Sequence, residues 1–474
     1  MAGEQERIRV AVLGGGPGGY PAAFLAAERG FDVTLIDERP APGGVCLYEG
    51  CIPSKALLHA AELIRDTRAA GVMGLEFAEP KIDLDKLRSW KDRDVVGKMT
   101  GGLGQIAKAR KVRYVQGRGK FAGSNMLRVA LDGEVTDIEF DYAIVATGSL
   151  PAIPGPLRLE SERVWDSTAA LKLTEVPARL LVVGGGYIGL EMATVYSALG
   201  SNVTIVEMLG SLLPGGVDPD LVRVLAASMK GRVGQVMLET SVNELTETKA
   251  GIEVVLQNTD AHGPQTFDRV LIATGRRPNS ANIGLEATQA RLDARGFVVV
   301  DHQRRTADPA IFAIGDVAGE PMLAHKATHE ARVAVETIAG EPAAWDPAAI
   351  PAVVYTDPEI AWCGLTEAEA SNRAIEVDVT HFPWSASGRA TTTGHPQGLT
   401  KLLVEPGTQR ILGVGIAGRG AGELIAEGTL AVEMGARLDD LRLTIHPHPT
   451  LSETLMEAAE TFFNTSPHYI GKRR

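Results

Sequence analysis

Two cysteines, Cys46 and Cys51, stand five positions apart in the run GGVCLYEGCIPSK, close behind a glycine-rich stretch. The chain has only three cysteines, so this spacing indicates a functional pair, a redox-active dithiol held against a cofactor. On a regular helix, residues five apart have Cα atoms about 8.7 Å apart, whereas a disulfide needs roughly 4.4–6.8 Å. A bridge therefore requires a bend in the backbone, and Gly50 is placed to allow it. Pro53 suits the first turn of a helix, which would put Cys51 near a helix N-terminus, where the dipole favours the reactive thiolate.

One glycine pattern occurs twice, each time after an apolar strand and before a helical stretch. The glycines are Gly14, Gly16 and Gly19 in the first copy and Gly184, Gly186 and Gly189 in the second. In the G-x-G-x-x-G spacing, the first glycine permits a tight turn, the second lets the backbone approach a pyrophosphate, and the third lets helix and strand pack closely. Each copy continues into a second strand that ends near an acidic residue. The sequence therefore predicts two dinucleotide sites.

The acidic residues Asp37 and Glu207 indicate which nucleotides are bound. Each carboxylate can accept hydrogen bonds from a ribose hydroxyl and would repel a 2′-phosphate. No Arg or Lys follows Glu207 until Arg223, so no nearby cation is available for such a phosphate. The second site is predicted to prefer NAD to NADP.

A second repeated motif indicates the domain organisation. Ala-Thr-Gly ends a strand twice, with Thr147 and Gly148 in the first copy and Gly275 in the second, and a further apolar strand runs into Gly315-Asp316. We predict an α/β protein with two Rossmann-like dinucleotide-binding domains, the second inserted in the first, and a C-terminal α+β domain. The predicted boundaries are 1–150, 151–279, 280–346 for the return to the first domain, and 347–474.

Composition excludes several classes of protein. The net charge of −12 argues against nucleic acid or an anionic membrane surface as the main partner. No apolar run approaches the roughly 20 residues needed for a membrane span, and the polar start MAGEQERIRV does not resemble a targeting segment. We expect a cytoplasmic protein. His325 and His329 have a metal-like spacing but lack the Glu of H-E-x-x-H, so no metal site is predicted.

Near the C-terminus, the run TIHPHPTLSETLMEAAE brings two histidines close to a glutamate. Glu453 follows His448 by five positions, and a helix is predicted to begin near Leu451. A histidine oriented by a carboxylate is the usual general base near neutral pH. Spacing alone does not choose between His446 and His448.

Taken together and in order, these motifs resemble the FAD-dependent pyridine nucleotide–disulfide oxidoreductases, and among them the branch that oxidises dihydrolipoamide. The resemblance covers essentially the whole chain, from the first glycine pattern through C-x4-C with IPSK to the closing HxHPTLSE. It implies that the first site binds FAD and the second NAD. It also implies that Asp316 contacts the ribitol chain of the flavin, that Lys55 lies beside the reactive flavin ring, and that Glu191 lies near the nicotinamide pocket.

The same resemblance implies the catalytic roles. Cys46 would exchange with substrate, Cys51 would lie nearest the flavin, and His448 would be the base, oriented by Glu453, with His446 a bystander. It further implies a homodimer in which the His–Glu pair of one subunit completes the dithiol site of the other, through the C-terminal domain. The lipoyl group would come in trans, on a subunit of a 2-oxo acid dehydrogenase or glycine-cleavage complex.

Several alternatives stay open or are disfavoured by particular features. A glutathione-type reductase would prefer NADP, a mercuric reductase would carry a C-terminal cysteine pair, and a transhydrogenase would lack the redox cysteines. Another disulfide substrate, a scaffold role and a flavin-based thiol sensor are the remaining options. The chain departs from the family pattern at Tyr48, Glu49 and Pro447, and Asp37 stands where glutamate is more usual; we expect Glu49 to face away from the dithiol.

Overall fold

The structure is a computed structural model, and it describes residues 7–258 and 263–471. The first six residues of the polar N-terminal segment and the last three residues of the basic tail lie outside the described part. Within that part, no helix combines the length and apolar character needed to span a bilayer.

The first sheet is built from five parallel strands that are distant in sequence. In spatial order these are Ile311–Ala313, Tyr142–Val145, Arg9–Leu13, Asp32–Asp37 and Arg113–Gln116. Apolar runs such as VAVL are buried because helices cover the sheet, among them Gly19–Glu28 and Ala324–Ile338. The strand at 311–313 joins this sheet after a long excursion of the chain.

That excursion contains the second parallel sheet, also of five strands. Its order is Gln235–Met237, Asn202–Val206, Arg179–Val183, Arg269–Ile272 and Val164–Trp165, and its helices are Ser167–Lys172, Tyr187–Leu199 and Pro219–Met229. The predicted fold class, with the second Rossmann-like unit inserted in the first, is confirmed.

Smaller antiparallel sheets accompany both units. They comprise Arg118–Gly123, Met126–Leu131 and Glu134–Glu139; Ser241–Thr248, Gly251–Gln257 and Gln265–Phe267; and the pair Ser149–Pro151 with Arg276–Pro278. The last pair joins the two Ala-Thr-Gly turns, so it connects the first unit with the second.

The C-terminal domain is a five-stranded antiparallel sheet with helices packed on it. Its strands, in spatial order, are Ala352–Val354, Glu359–Gly364, Ile411–Gly418, Leu399–Val404 and Asp378–Pro383. Its helices are Glu367–Asn372, Gly388–Thr392, Ala421–Glu433, Leu438–Leu443 and Glu453–Phe462. The last helix begins two residues later than predicted, because Ser452 and the residues before it form the loop that carries the histidines.

Further helices lie in the chain between the strands Asp32–Asp37 and Arg113–Gln116 of the first sheet. They are Gly44–Glu49, Cys51–Ala69, Leu84–Ser89, a π-helix at Trp90–Gly97, and Lys98–Ala109, with a 3₁₀ turn at Ala70–Met73. Other 3₁₀ turns are Gly155–Leu157, Leu285–Ala287, Gly315–Val317 and Trp384–Ala386. We call Cys51–Ala69 the redox helix, because it begins with a cysteine of the pair.

A buried charge cluster joins the second unit to the C-terminal domain. The Lys401 ammonium is fully buried and lies 2.8 Å from Asp218 and 3.0 Å from Asp220, and it also contacts Glu367. His381 adds a 2.8 Å contact to Asp220. The lysine therefore supplies the counter-charge for the buried Asp218 and for the largely buried Asp220.

Candidate active site

The backbone bends between the two cysteines, as the sequence requires. One helix ends at Glu49 and the redox helix begins at Cys51, with Gly50 between them. A Cβ at Gly50 would lie 2.9 Å from the carbonyl oxygen of Val45, which is closer than real side chains approach. Only glycine therefore lets the two helices fold back this tightly. Cys51 occupies the first position of a 19-residue helix, where the dipole stabilises a negative charge.

Both cysteines are free thiols in this structure, the reduced form of the predicted pair. The pKa of Cys51 is lowered to about 7, in the first place because the Cys46 thiol hydrogen-bonds to its sulfur, and also because of the Lys55 charge; burial opposes both effects. The pKa of Cys46 is raised, because its proton is held in that hydrogen bond and because it is desolvated. These opposite pKa shifts favour a thiolate on Cys51 and a proton on Cys46. Cys363, by contrast, is buried, and burial raises its pKa to about 11.

Two residues between the cysteines depart from the family pattern, and both have partners outside the dithiol. The Glu49 carboxylate pairs with the Arg39 guanidinium at 3.0 Å. The Tyr48 hydroxyl donates to the Ala41 carbonyl at 3.2 Å, and the Arg39 guanidinium lies 4.9 Å from the Tyr48 ring centre. The negative charge of Glu49 is therefore engaged by a cation.

An ion pair connects the redox helix with the second dinucleotide unit. The Lys55 Nζ lies 2.9 and 3.0 Å from the two carboxylate oxygens of Glu191, which is only 3% exposed. The Tyr355 backbone N–H donates to Glu191 at 3.2 Å, and the Tyr355 ring centre lies 4.5 Å from the Lys55 ammonium. Three parts of the chain thus meet at one fixed positive charge, one helical turn after Cys51.

The first glycine turn has the shape that a pyrophosphate needs. A Cβ at Gly14 would lie 2.3 Å from the Ala146 carbonyl oxygen, and one at Gly19 would lie 1.7 Å from the Gly14 carbonyl oxygen. A Cβ at Gly16 would meet nothing closer than 3.8 Å. The outer glycines are therefore required for packing, while the middle one leaves open space at a helix N-terminus.

The second glycine turn repeats this geometry. A Cβ at Gly184 would lie 2.4 Å from the Ala273 carbonyl oxygen, and one at Gly189 would lie 2.2 Å from the Gly184 carbonyl oxygen. A Cβ at Gly186 would meet no atom of the described part of the chain within 4 Å. Both cradles fit a dinucleotide phosphate.

Each predicted ribose-binding carboxylate also accepts a backbone hydrogen bond from its own glycine turn. Asp37 accepts the Gly15 N–H at 2.6 Å, and Glu207 accepts the Gly185 N–H at 2.7 Å. Both residues accept a second backbone N–H two positions further on, at 2.9 and 2.8 Å. A carboxylate offers about four lone pairs, so capacity remains for ribose hydroxyls.

The Ala-Thr-Gly turns and Asp316 lie together in the structure. The Thr147 hydroxyl donates to the Asn279 carbonyl at 2.7 Å, and the Asn279 N–H donates to the Gly148 carbonyl at 2.9 Å. The Asp316 carboxylate accepts from the Ser149 hydroxyl. Gly148 and Gly275 have φ of +72° and +139°, conformations that favour glycine.

The thiol pair, the Lys55–Glu191 ion pair and both glycine turns open onto one continuous cleft of about 2970 Å³. Ligand pockets commonly measure about 300–1,000 Å³, so this space accommodates two dinucleotides and a further substrate. The predicted residues that line it are Cys46, Cys51, Gly14, Gly16, Asp37, Lys55, Thr147, Gly148, Asp316, Gly184, Gly186, Glu191, Glu207 and Gly275. Gly19 and Gly189 lie behind the cradles, which agrees with their packing role.

His448 and Glu453 form a pair, but they do not line this cleft. The His448 Nδ1 donates to Glu453 Oε1 at 2.9 Å, and Glu453 Oε2 accepts the Thr450 N–H at 2.7 Å. Burial opposes it, but the Thr450 N–H and His448 together lower the pKa of Glu453. Nε2 of His448 has no hydrogen-bond partner among the described residues, and the side chain is 72% exposed.

Sequence reasoning missed several residues that hold the site. Ser149 and Arg276 directly follow the Ala-Thr-Gly turns, and the Arg276 guanidinium donates to the Ser149 hydroxyl at 2.7 Å. Glu330 is fully buried and accepts the Gly315 N–H at 2.6 Å, next to Asp316. The first two could have been found as neighbours of the repeated turn. Tyr355 gave no local signal, because it is 164 positions from Glu191.

Residues 8–331 match the family described as pyridine nucleotide-disulphide oxidoreductase, and residues 350–459 match its dimerisation domain. The chain therefore belongs to the pyridine nucleotide–disulphide oxidoreductases. It is an enzyme of that class, and its cofactors are FAD and NAD.

Similar proteins define the branch of the family more closely. The chain is 47% identical over 460 residues to a dihydrolipoyl dehydrogenase of Vibrio cholerae, covering 97% of this chain and 96% of that protein. It is 46% identical over 457 residues to the dihydrolipoyl dehydrogenase of Haemophilus influenzae, covering 96% and 95%. The crystal structure of LpdA from Mycobacterium tuberculosis matches with a TM-score of 0.88 at 27% identity, covering 96% of this chain and 99% of that one. The resemblance stated from the motifs is confirmed.

Proposed function

We propose that this enzyme oxidises dihydrolipoamide to lipoamide and passes the electrons to NAD⁺. The observation that carries the proposal is the thiol pair at Cys46 and Cys51, which lies in the same cleft as both glycine cradles. The names of its relatives supply the substrate class.

In this proposal the chain's own groups perform the dithiol exchange. His448 Nε2 takes a proton from one substrate thiol, and the resulting thiolate attacks Cys46 of the Cys46–Cys51 disulfide. The sulfur–sulfur bond breaks and Cys51 leaves as a thiolate, which the Lys55 charge and the helix N-terminus stabilise. The second substrate thiol attacks the substrate sulfur of the substrate–Cys46 disulfide, the bond to Cys46 breaks, and the proton of that thiol passes to the Cys46 sulfur. Lipoamide is released, so the substrate loses two electrons and the cysteine pair gains them.

FAD, when bound, would supply the redox chemistry that links oxidation of the dithiol to hydride transfer to NAD⁺. Gly14, Gly16, Asp37 and Asp316 would hold FAD, and Gly184, Gly186 and Glu207 would hold NAD. Lys55 would keep a positive charge against the Cys51 thiolate, with Glu191 fixing its position.

We also propose that two copies build each site. Residues 1–150 with 280–346 would hold FAD, 151–279 would hold NAD, and 347–474 would form the interface. The separation of the His448–Glu453 pair from the cleft supports this, as do the exposed apolar side chains Leu443 and Ile445 beside the histidines. A lipoyl-bearing protein would present its substrate arm to the shared site.

The first test is NADH formation by the FAD-loaded protein from dihydrolipoamide and NAD⁺, repeated with NADP⁺. We expect rapid NADH formation and a small NADP⁺ response. If the flavoprotein oxidises NADH with ferricyanide but does not oxidise dihydrolipoamide, the proposed substrate is wrong. Other disulfides would then be tested with NADH as donor.

Sharing of the site is tested by mixing Cys46→Ser and His448→Gln subunits. Each variant alone should be inactive in dihydrolipoamide oxidation. After unfolding and reassembly, a mixed dimer regains one intact site, so activity should return to about one quarter of the wild-type value. No recovery would show that Cys46 and His448 of the same subunit work together.

A further inference from the structure

The position of His448 depends on the loop that carries it. Residues 444–452, which we call the histidine loop, connect the helices Leu438–Leu443 and Glu453–Phe462. Its second half is held by Glu453, through His448 and Thr450. The Thr450 hydroxyl also donates to the Pro447 carbonyl at 2.8 Å. These contacts stay within the loop and the helix that follows it.

The first half of the histidine loop is held by His446, for which sequence reasoning found no role. Its side chain is only 4% exposed, although the neighbouring Ile445 is 95% exposed. The His446 Nδ1 lies 2.9 Å from the Thr444 carbonyl oxygen, and Nε2 lies 2.8 Å from Oε1 of Glu427. Both ring nitrogens thus face acceptors, and the imidazole is fixed at both ends.

Glu427 is a fixed point because its helix is packed tightly on the C-terminal sheet. It lies on the helix Ala421–Glu433, in which Ile425 is buried. A Cβ at Gly428 would lie 2.9 Å from the Val414 side chain, so this helix and the strand beneath it are in close contact. The pair His446–Glu427 therefore ties the loop to a rigid element, distinct from the helix that carries Glu453.

We propose that His446, held by Glu427, is a positioning residue that sets the place of His448 for proton transfer. The proposal rests on the proposed function, in which His448 is the base. A base that is misplaced by about 1 Å can lose about 100-fold in rate, so an anchor two residues away matters for the dithiol step. The position of His448 should not affect the exchange between NADH and the flavin.

The test compares the two half-reactions in FAD-loaded variants. Flavin reduction by dihydrolipoamide is followed by stopped flow, and NADH oxidation is followed with ferricyanide as acceptor. We expect His446→Leu and Glu427→Leu each to slow the dithiol half-reaction by about 10–100-fold, with the NADH half-reaction within about twofold of wild type. Their double variant should be no slower than either alone, because both remove the same contact.

Two matched variants separate positioning from general damage. Glu427→Gln keeps an acceptor oxygen for the His446 ring and should recover most of the dithiol rate. His381→Asn breaks another histidine–carboxylate pair, between the C-terminal domain and Asp220 of the second unit, and should leave both half-reactions unchanged. Thermal midpoints are measured for all variants.

The outcomes are distinct. Equal losses in the two half-reactions, or an unchanged dithiol half-reaction in His446→Leu, would overturn the proposal. If dihydrolipoamide fails with the wild type but dithiothreitol reduces it, and the variants slow that reduction, the positioning role stands and the proposed substrate is wrong.

Discussion

Replacing Cys46 by alanine and by serine tests how the reactive thiolate is produced. The pKa of Cys51 lies at about 7, well below its ordinary value of 9.0, and the hydrogen bond from Cys46 is the main cause. Lys55 contributes further, whereas burial and the Glu191 charge act in the opposite direction. The two substitutions differ in one respect, since serine keeps an O–H donor and alanine has none.

The expected magnitude follows from those contributions. In Cys46→Ala the main lowering effect is lost, so we expect the pKa of Cys51 to return towards its ordinary value of 9.0. At pH 7 its thiolate fraction would fall from about one half to about 1%. In Cys46→Ser the pKa should stay near 7.

The assay is the pH profile of Cys51 alkylation by iodoacetamide, measured by mass spectrometry from about pH 5 to about pH 10. The full profile is needed because a thiolate of higher pKa is also more nucleophilic, which partly masks the change at a single pH. Cys363 does not interfere, since it is buried and its pKa is raised. Equal pKa values in the alanine and serine variants would refute the hydrogen-bond explanation and leave Lys55 and the helix dipole as the cause.

Three further predictions concern other parts of the molecule. Glu453→Gln keeps one acceptor oxygen where the Glu453 carboxylate uses two. Dihydrolipoamide oxidation should therefore fall by about 10–100-fold, while ferricyanide reduction by NADH is retained. Equal loss in both assays would contradict this prediction. Gly186→Ala should fold with a normal thermal midpoint but raise the KM for NAD⁺, because its Cβ enters open space in the cradle. Gly189→Ala should lower the thermal midpoint, because its Cβ would lie 2.2 Å from a backbone oxygen. A reversed ranking of the two thermal midpoints would contradict this geometry. Lys401→Met should cost about 3–5 kcal/mol in chemical unfolding, because it leaves carboxylates buried without a counter-charge. Burial alone would raise the pKa of Asp220, but hydrogen bonds and the Lys401 charge hold that pKa below 3.8. The stabilisation by this pair is therefore present above pH 3.8 and is lost as the pH falls further. A Lys401→Met variant as stable as wild type at pH 7 would contradict the prediction.

Much of the cofactor site could be predicted because its signals are local. The glycine cradles, the acids that follow them by 22 positions, and the bend at Gly50 are each contained within one strand–turn–helix unit. Backbone sterics at such turns admit few residue types, so the residues themselves report the geometry. The last helix begins two residues after the predicted start near Leu451, because the loop before it is organised by side-chain contacts that leave no periodic pattern.

The sequence by itself determined the two dinucleotide units, the dithiol and the presence of a histidine–glutamate pair, since each rests on spacing along a short stretch. Only the tertiary structure decided what surrounds them. Lys55 meets Glu191 across 136 positions, and Ser149 meets Asp316 across 167. It also gave His446 a partner on a different helix and separated His448 from the cleft. Such contacts depend on how whole sheets and helices pack, and packing leaves no short-range signature in the order of residues.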